Sequence, residues 1–295
     1  MKIHDRSNKI TERCVSDKIL RGFLFGLMLI FGLSFVFMLF WMVVTSFRNF
    51  NIFSREPGKL FSGITFEQII KNYSEAFTKK VDGFTLPRTI LNTLIYVSGV
   101  TVIGTFVPLI TGYVVAKYNF KLKKLIVICA IITMIIPTVG SMMSTYQFMS
   151  KLDLTDNFIG VFIMSSGGIG FSMLMFRGFF ASIPWEYAES GFIDGASNFR
   201  VFWSIMMPQA RSIIISIIIV SFIGAWNDYF TPYLYLPKNP TIALYAQLLS
   251  INQKFKSNYP LQMAVLTFMV AVVLVIYAVF SKRIMESMSA GGLKG

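Results

Sequence analysis

One carboxylate lies well inside an apolar run of this sequence. Asp228, in the segment GAWNDYF (224–230), interrupts a long hydrophobic stretch. An ionisable side chain in such a stretch is costly, and it usually faces a cavity or a polar partner. Asp228, with Trp226 and Asn227 beside it, is therefore predicted either to line a polar path or to cap a break in the helix before Pro232.

The residue types that most enzyme and metal sites need are scarce. His4 is the only histidine, and the two cysteines, Cys14 and Cys129, lie in a polar and an apolar segment. A Ser/His/Asp set, a Cys/His metal site and a disulfide framework are therefore not expected. The sequence has no GxxxxGK[ST] phosphate loop, so no ATP site of that type is predicted. We expect no catalytic residue, metal ion or cofactor on this chain.

Composition indicates a membrane protein. Of the 295 residues, 55% are hydrophobic and 14% are charged, whereas a soluble domain has about 25% charged residues. The net charge of +13 lies mostly between hydrophobic runs, which favours membrane topology over nucleic-acid binding as its explanation. A spanning helix needs about 20 mostly apolar residues. The expected fold class is an all-α membrane protein with six transmembrane helices: 22–47, 89–116, 125–150, 157–176, 212–237 and 257–281.

Basic residues predict that both chain ends are cytoplasmic. The segment KYNFKLKK (117–124) carries four lysines, whereas KLDLTD (151–156) carries one lysine and two aspartates. Lysine and arginine concentrate on the cytoplasmic side, so 117–124 lies inside and 151–156 outside. The first span is too long for a cleaved signal peptide and is read as retained. The predicted organisation is a cytoplasmic N-terminus (1–21), a first transmembrane helix (22–47), an extracellular loop (48–88), a core of five helices (89–283) and a cytoplasmic tail (284–295).

Prolines and glycines divide the predicted spans. Pro108, Pro137 and Pro232 each remove a helix hydrogen bond and are expected to kink their helices. The segment SSGGIG (165–170) is expected to let helices approach closely, which we favour over a role in binding a solute.

A half-polar segment, Glu186–Ser212, follows the fourth predicted span on the inner side. Asp194-Gly195 predicts a bend, with Asp194 able to cap a second short helix. Amphipathicity alone favours a helix on the lipid surface over a docking element for a cytoplasmic partner. One helical face is predicted from spacings of three and four residues: Trp185, Ala188, Phe192, Ala196, Phe199 and Trp203.

The same segment resembles the EAA loop of ABC importer permeases. Glu189-Ser190-Gly191 stands where the family has Glu-Ala-Ala, Gly195 has the spacing of the central glycine, and Met207-Pro208 resembles the closing Leu-Pro. Glycine lowers helix propensity by about 1 kcal/mol relative to alanine, so Ser190-Gly191 predicts a more pliant helix. Six further stretches between Asn92 and Gly295 resemble the second permease of maltose-type carbohydrate importers: NTLIYVSGV, MIIP, FFASIP, IDGAS, SFIGAWND and AGGLKG.

This resemblance implies a type-1 importer permease fold in a bacterial plasma membrane. It also implies a second permease as heterodimer partner, two cytoplasmic ATPases that bind ATP and magnesium, and an extracellular sugar-binding protein. The tail Gly291–Gly295 would approach the ATPases, and the loop Tyr235–Pro260 would contact the binding protein. The residues that the resemblance places at the ATPase contact are Glu189, Phe192, Ile193, Asp194, Gly195, Ala196 and Phe199.

Other functions are weighed on the same residues. An importer of glycerol phosphate or another sugar-like solute would carry similar motifs. An ion-coupled carrier would want several intramembrane carboxylates and internal repeats, and Asp228 is the one such acid in this sequence. A membrane scaffold or receptor would not need a loop of the EAA type.

Overall fold

A computed structural model describes the backbone of residues 2–136 and 138–292 and the side chains of residues 20–136 and 140–281. Pro137 and the last three residues of the predicted tail lie outside the described residues. Within the described ranges the secondary structure is helical, apart from the isolated β-bridges Arg48–Ile64 and Val81–Phe84. The elements are α1 (Lys2–Ser46), α2 (Phe50–Arg55), α3 (Phe66–Thr78), α4 (Leu86–Lys117), α5 (Lys123–Ile135), a 3₁₀ helix (Thr138–Ser141), α6 (Met142–Lys151), α7 (Phe158–Ser165), α8 (Phe171–Ser182), α9 (Glu186–Ile193), α10 (Asn198–Val201), a π-helix (Phe202–Met206), α11 (Met207–Gln209), α12 (Arg211–Asn227), α13 (Phe230–Tyr235), α14 (Ile242–Ile251) and α15 (Tyr259–Gly292).

The chain forms two compact units. The first unit contains the residues before Phe77 together with Ser257–Thr267. The second contains Phe77–Lys256 and the chain from Phe268 onward.

A buried arginine organises the polar end of the first unit. The guanidinium of Arg48, with no exposed surface, donates to the backbone oxygens of Glu56 (2.7 Å), Ser62 (3.1 Å) and Pro57 (3.2 Å). It also lies 4.8 Å from the centre of the Phe53 ring. A buried charge is tolerated where hydrogen bonds and a ring face replace its water, so Arg48 fixes the loop that follows α1.

Helix α4 is the centre of the second unit, where it packs against α7, α8 and α12. A Cβ atom on Gly112 would lie 2.7 Å from the Phe176 Cβ and 2.9 Å from the Met173 carbonyl oxygen. Only glycine permits this approach, so α4 and α8 touch backbone to backbone. The core around this contact includes Leu109, Tyr113, Phe176, Phe180, Ala188, Val201, Phe202, Met206 and Ile214.

Three helical segments are long and apolar enough to cross a membrane: Leu20–Ser46, Leu86–Lys117 and Tyr259–Ser281. A fourth crossing results if the pair Asn198–Gln209 and Arg211–Asn227, bent by 78°, counts as one span. The structure therefore confirms a helical membrane protein. Three of the six predicted spans form as continuous apolar helices in the described chain, and the predicted span 212–237 is divided at Asp228 into α12 and α13.

The remaining predicted spans are divided into shorter helices. Span 125–150 becomes α5 and α6, because Ile136 is extended (φ −77°, ψ 122°) and α5 ends there. A residue that precedes proline disfavours the helical region, which accounts for this end. Span 157–176 becomes α7 and α8, separated by the glycine-rich segment. A Cβ on Gly168 would lie 2.6 Å from the Val107 Cγ1, so this segment does approach α4 closely.

Candidate functional site

The predicted loop at Glu186–Ser212 is a helical hairpin in the second unit. Its first arm, α9, carries Glu186 and Glu189 in the first turn. Carboxylates there are stabilised by the positive end of the helix dipole. Ala188 and Gly191 are buried on the opposite face. A Cβ on Gly191 would lie 2.5 Å from the Ile205 Cδ1. The space beside Gly191, the glycine that departs from the family pattern, is therefore occupied by Ile205 from the second arm. This packing argues against the prediction that α9 is more pliant.

The predicted bend is a Schellman motif closed by backbone groups. The Gly195 N–H donates to the Phe192 oxygen (3.0 Å), and the Ala196 N–H donates to the Gly191 oxygen (2.9 Å). Gly195 has φ +78°, the left-handed conformation that a residue with a side chain adopts only at a cost. A Cβ at this position would meet open space. Glycine is thus required for its backbone conformation and not for close packing.

The second arm begins at Ser197, and the prediction that Asp194 caps it is wrong. The Ser197 hydroxyl accepts from the Arg200 N–H (3.3 Å), whereas Asp194 is the C-cap residue of α9. Asp194–Ser197 are not helical and form the bend. The N-cap of the second helix is therefore Ser197, three residues after Asp194.

The single apolar face predicted across the hairpin is correct for its first arm only. Trp185, Phe192 and Ala196 pack against the core, as the spacing predicts. Phe199 and Trp203, in contrast, are 74% and 47% exposed. The turn resets the helical phase, because a period of 3.6 residues holds only along a continuous helix. Three other side chains of the second arm face inward: Val201, Phe202 and Met206.

The end of the hairpin therefore exposes apolar and acidic side chains together. Ile193 is 86% exposed, and Glu189, Asp194 and Gly195 are also exposed. Phe199 stacks on Trp203, with ring centres 6.1 Å apart and an interplanar angle of 8°. A patch of exposed apolar side chains beside charged ones is typical of a contact site for a protein or a membrane. The arrangement offers apolar surface and polar contacts side by side.

Two residues hold this hairpin to α4: Lys117, which the sequence analysis used only to predict topology, and Tyr118, to which it gave no role. The Lys117 ammonium group donates to the Ile183 carbonyl and lies 5.9 Å from the centre of the Trp185 ring. The Tyr118 hydroxyl donates to Asn198 Oδ1 (3.0 Å). Lys117 is the last residue of α4 and Tyr118 is its C-cap, so these contacts join the hairpin to the C-terminal end of the central helix. The segment KYNFKLKK was the available signal, and it was used only for orientation.

The second predicted cluster lies at the break between α12 and α13. Asp228 Oδ1 accepts from the backbone N–H groups of Phe230 (2.9 Å) and Thr231 (3.0 Å). Its Oδ2 accepts from the Tyr96 hydroxyl (2.8 Å), and Tyr96 is 2% exposed. The capping alternative for Asp228 is therefore confirmed. A role in a solute path stays a prediction, and the sequence analysis missed Tyr96, which lies 132 residues away.

The two neighbours of Asp228 have different environments. Trp226 is buried, and its indole N–H donates to the Met269 oxygen (3.2 Å). Asn227 is exposed, and its side-chain amide donates to the Ile223 oxygen (2.8 Å). The structure thus brings Trp226 into the core and leaves Asn227 accessible. Among the described residues, no group of three His, Cys, Asp or Glu side chains is placed to hold a metal ion.

Comparison with known proteins agrees with this architecture. Residues 104–288 match the family described as "binding-protein-dependent transport system inner membrane component". The arabinooligosaccharides transport system permease protein AraQ of Bacillus subtilis is 27% identical over 207 residues, which cover 69% of this chain and 72% of AraQ. The sn-glycerol-3-phosphate transport system permease protein UgpE of Rhizobium meliloti is 28% identical over 214 residues, which cover 70% and 74% of the two chains.

A solved structure shares the fold. It belongs to a bacterial ABC transporter involved in the import of the acidic polysaccharide alginate, with a TM-score of 0.76 and 21% sequence identity over 90% of this chain and 97% of that one. The family match covers more than half of this sequence and includes both the hairpin and the break at Asp228. This chain therefore belongs to the family of inner membrane components of binding-protein-dependent transport systems.

Proposed function

We propose that this chain is the permease subunit of an ATP-driven importer of carbohydrates. The exposed, acid-flanked end of the α9–α10 hairpin carries the coupling part of this proposal, because it presents Ile193, 86% exposed, and Phe199, 74% exposed. Carbohydrate as the solute is supported by the similarity to AraQ and by the sequence motifs that resemble maltose-type importers.

The proposed topology has six crossings with both termini in the cytoplasm, as in a type-1 importer permease. The three long apolar helices supply three crossings, and α12 with α13, broken at Asp228, would supply a fourth. The helix pairs α5–α6 and α7–α8 would each supply one more, as broken spans whose freed backbone groups are satisfied by neighbouring helices. The four lysines between α4 and α5 support the inner placement of that end. The proposed segments are the cytoplasmic N-terminus (1–21), the first transmembrane helix (22–47), the extracellular loop (48–88), the five-helix core (89–283) and the cytoplasmic tail (284–295).

In the proposed mechanism, the hairpin rests in a cleft of a cytoplasmic ATPase. Glu189 and Asp194 supply polar contacts, and Gly195 sets the bend. Closure of the ATPase pair on ATP then moves the hairpin as one body, because Ala188 and Val201 anchor its two arms in the same core. Lys117 and Tyr118 pass that motion to α4. The apolar docking surface is proposed to centre on the exposed Ile193 and Phe199. Phe192 and Ala196, which are partly buried against the core, are proposed to form its edge.

The proposed assembly contains a second permease, two ATPases and an extracellular binding protein. ATP and magnesium bind the ATPases, so this chain hydrolyses nothing itself. The loop Tyr235–Pro260 is proposed to contact the binding protein, and the tail from Gly291 to approach the ATPases. Trp226, Asn227 and Asp228 are proposed to border the solute path, with the exposed Asn227 as the residue best placed to meet a solute.

A second candidate solute is glycerol phosphate, which the similarity to UgpE favours. The experiment is to purify the complete transporter and measure ATPase activity with its binding protein across a panel of oligosaccharides and glycerol phosphate. We expect stimulation by one oligosaccharide class. Stimulation by glycerol phosphate alone would replace the carbohydrate assignment, and no stimulation by any member of the panel would count against both solute classes.

A further inference from the structure

Asp156, in the turn between α6 and α7, holds the chain segment that follows α13. Its backbone N–H donates to the Tyr235 oxygen (2.7 Å), and its Oδ1 accepts from the Lys238 N–H (2.8 Å). The Asn239 side-chain amide donates to the Asp156 backbone oxygen (3.3 Å), and the Lys238 ammonium nitrogen lies 3.7 Å from Asp156 Oδ2. One residue thus binds this segment through both its backbone and its carboxylate. We call these contacts the Asp156 clasp.

The same turn contains a second aspartate with the same backbone conformation. Asp156 has φ +57° and Asp153 has φ +52°, in the left-handed region that aspartate tolerates better than most residues with a side chain. Asp153 is exposed and takes no part in the clasp. The two aspartates therefore share their backbone conformation and differ in their contacts, which makes Asp153 a matched control for Asp156.

The segment after α13 is fixed to α4 by contacts of a different kind. The Asn92 side-chain amide donates to the Pro240 oxygen (3.1 Å), and the Thr93 hydroxyl accepts from the Ile242 N–H (2.7 Å), both in buried surroundings. In the clasp, by contrast, the Lys238 side chain is 83% exposed. Water readily replaces exposed polar contacts, whereas buried groups would be left without partners. The clasp is therefore the side of this segment that releases more easily.

The clasp joins pieces of two broken spans. Helix α13 is separated from α12 at Asp228, which holds its first turn and accepts from Tyr96, and its last residue, Tyr235, belongs to the clasp. Helix α6 is separated from α5 after Ile136, and its Tyr146 ring lies 6.1 Å from the Tyr235 ring. Short helices beside such breaks can move as units about the break.

We propose that the Asp156 clasp is a latch that opens in every transport cycle. This inference rests on the proposed function and on the proposed topology, which places the turn 151–157 on the extracellular side. The closed clasp holds α13 and the α6–α7 turn together at the outer face. Its release lets them separate, while Asn92 and Thr93 keep the following segment on α4. The strength of the clasp then sets part of the difference between the closed and open states that ATP and the loaded binding protein must overcome.

The first test locks the clasp reversibly. Asp156→Cys/Lys238→Cys is made in a transporter otherwise free of cysteine and is reconstituted in liposomes with its ATPases and binding protein. Oxidation to the disulfide should remove most solute uptake, and dithiothreitol should restore it. Each single-cysteine variant, exposed to the same oxidant, is the control and should keep its uptake. A contact that only supports the fold could be locked without loss, so normal uptake by the cross-linked pair would overturn the proposal.

The second test weakens the clasp. Asp156→Ala should raise ATPase activity in the absence of binding protein severalfold, because the closed state loses its latch, whereas Asp153→Ala should match wild type. Equal activity of the two variants would also overturn the proposal. Stimulation of the wild-type transporter by loaded binding protein reports separately on the proposed function. Its absence would defeat that function, whereas normal stimulation with a cross-linked clasp would defeat the latch alone.

Discussion

Two chain breaks in the second unit solve the same problem in opposite ways. At Gly195 the helix α9 is ended by backbone hydrogen bonds alone, and the bend depends on a residue without a side chain. At Asp228 the helix α12 is ended by a side chain, whose two oxygens accept from two backbone N–H groups and from Tyr96. The first break is local, and the second requires a partner from a distant helix.

The side chains around the two breaks also differ in how far they are exposed. Around Asp228, the polar groups are matched by Tyr96 and the start of α13, and Trp226 is buried. Around Gly195, Ile193 remains 86% exposed. Tyr229 and Phe230, beside Asp228, are 45% and 40% exposed, so Ile193 is the more strongly exposed apolar side chain of the two breaks and the better suited to a partner. Four substitutions, ranked by their effect on the stability of this chain, test this contrast.

Asp228→Ala should have the largest effect. It leaves two backbone N–H groups and the buried Tyr96 hydroxyl without an acceptor, which should lower the free energy of unfolding by about 2–3 kcal/mol. Thermal unfolding of the purified complex in detergent measures the change. Asn227→Ala, at the exposed neighbour, is the matched control and should be close to wild type. Equal stability of the two variants would show that Asp228 does not hold the break.

Gly195→Val should have the next largest effect. A Cβ atom at this position meets no other atom, so the loss should come mainly from the left-handed backbone, about 1–2 kcal/mol. Gly195→Asn should lose less, since asparagine tolerates this conformation. Gly178→Ala in α8, where a Cβ also meets open space, is the control and should be neutral or stabilising. If valine and asparagine behave alike, backbone conformation is not what Gly195 provides.

Gly191→Ala should change stability by less than about 1 kcal/mol, because the gain in helix propensity offsets the shift required of Ile205. The far end of Ile205 is the atom that must move, and it is the flexible part of that side chain. A loss above about 2 kcal/mol would mean that the two arms are packed too tightly for the alanine found in the family pattern. Unfolding in detergent again provides the measurement.

Ile193→Ser should have the smallest effect on stability, within about 0.5 kcal/mol, because the side chain is already in water. Its effect on assembly should be large, with affinity for the ATPase reduced by about tenfold or more. Co-purification of the ATPase at increasing salt and detergent measures this. Ser190→Ala, exposed on the same arm, is the control. Normal assembly of Ile193→Ser would remove the main support for the docking surface.

Several features of the fold and the site were predictable from sequence because they depend on neighbouring residues. The apolar runs predicted a helical membrane protein, and Asp194-Gly195 predicted the bend. The first arm of the hairpin was correct, since Ala188 and Phe192 belong to one continuous helix. The prediction for the second arm was wrong, because the four non-helical residues Asp194–Ser197 changed which of its side chains face the core. The cap at Ser197 was missed for the same reason.

What the sequence determined by itself therefore depends on neighbouring residues along the chain: the lengths of the hydrophobic runs and the bend at Asp194-Gly195. The side of the membrane that lysine and arginine favour stays a prediction. The tertiary structure alone decided the partners. It assigned Tyr96 to Asp228 across 132 residues, filled the space beside Gly191 with Ile205, and joined Tyr118 to Asn198. Such pairings arise where helices pack closely against each other. The periodicity of a sequence shows which face of one helix is apolar, and it does not show which distant helix packs there.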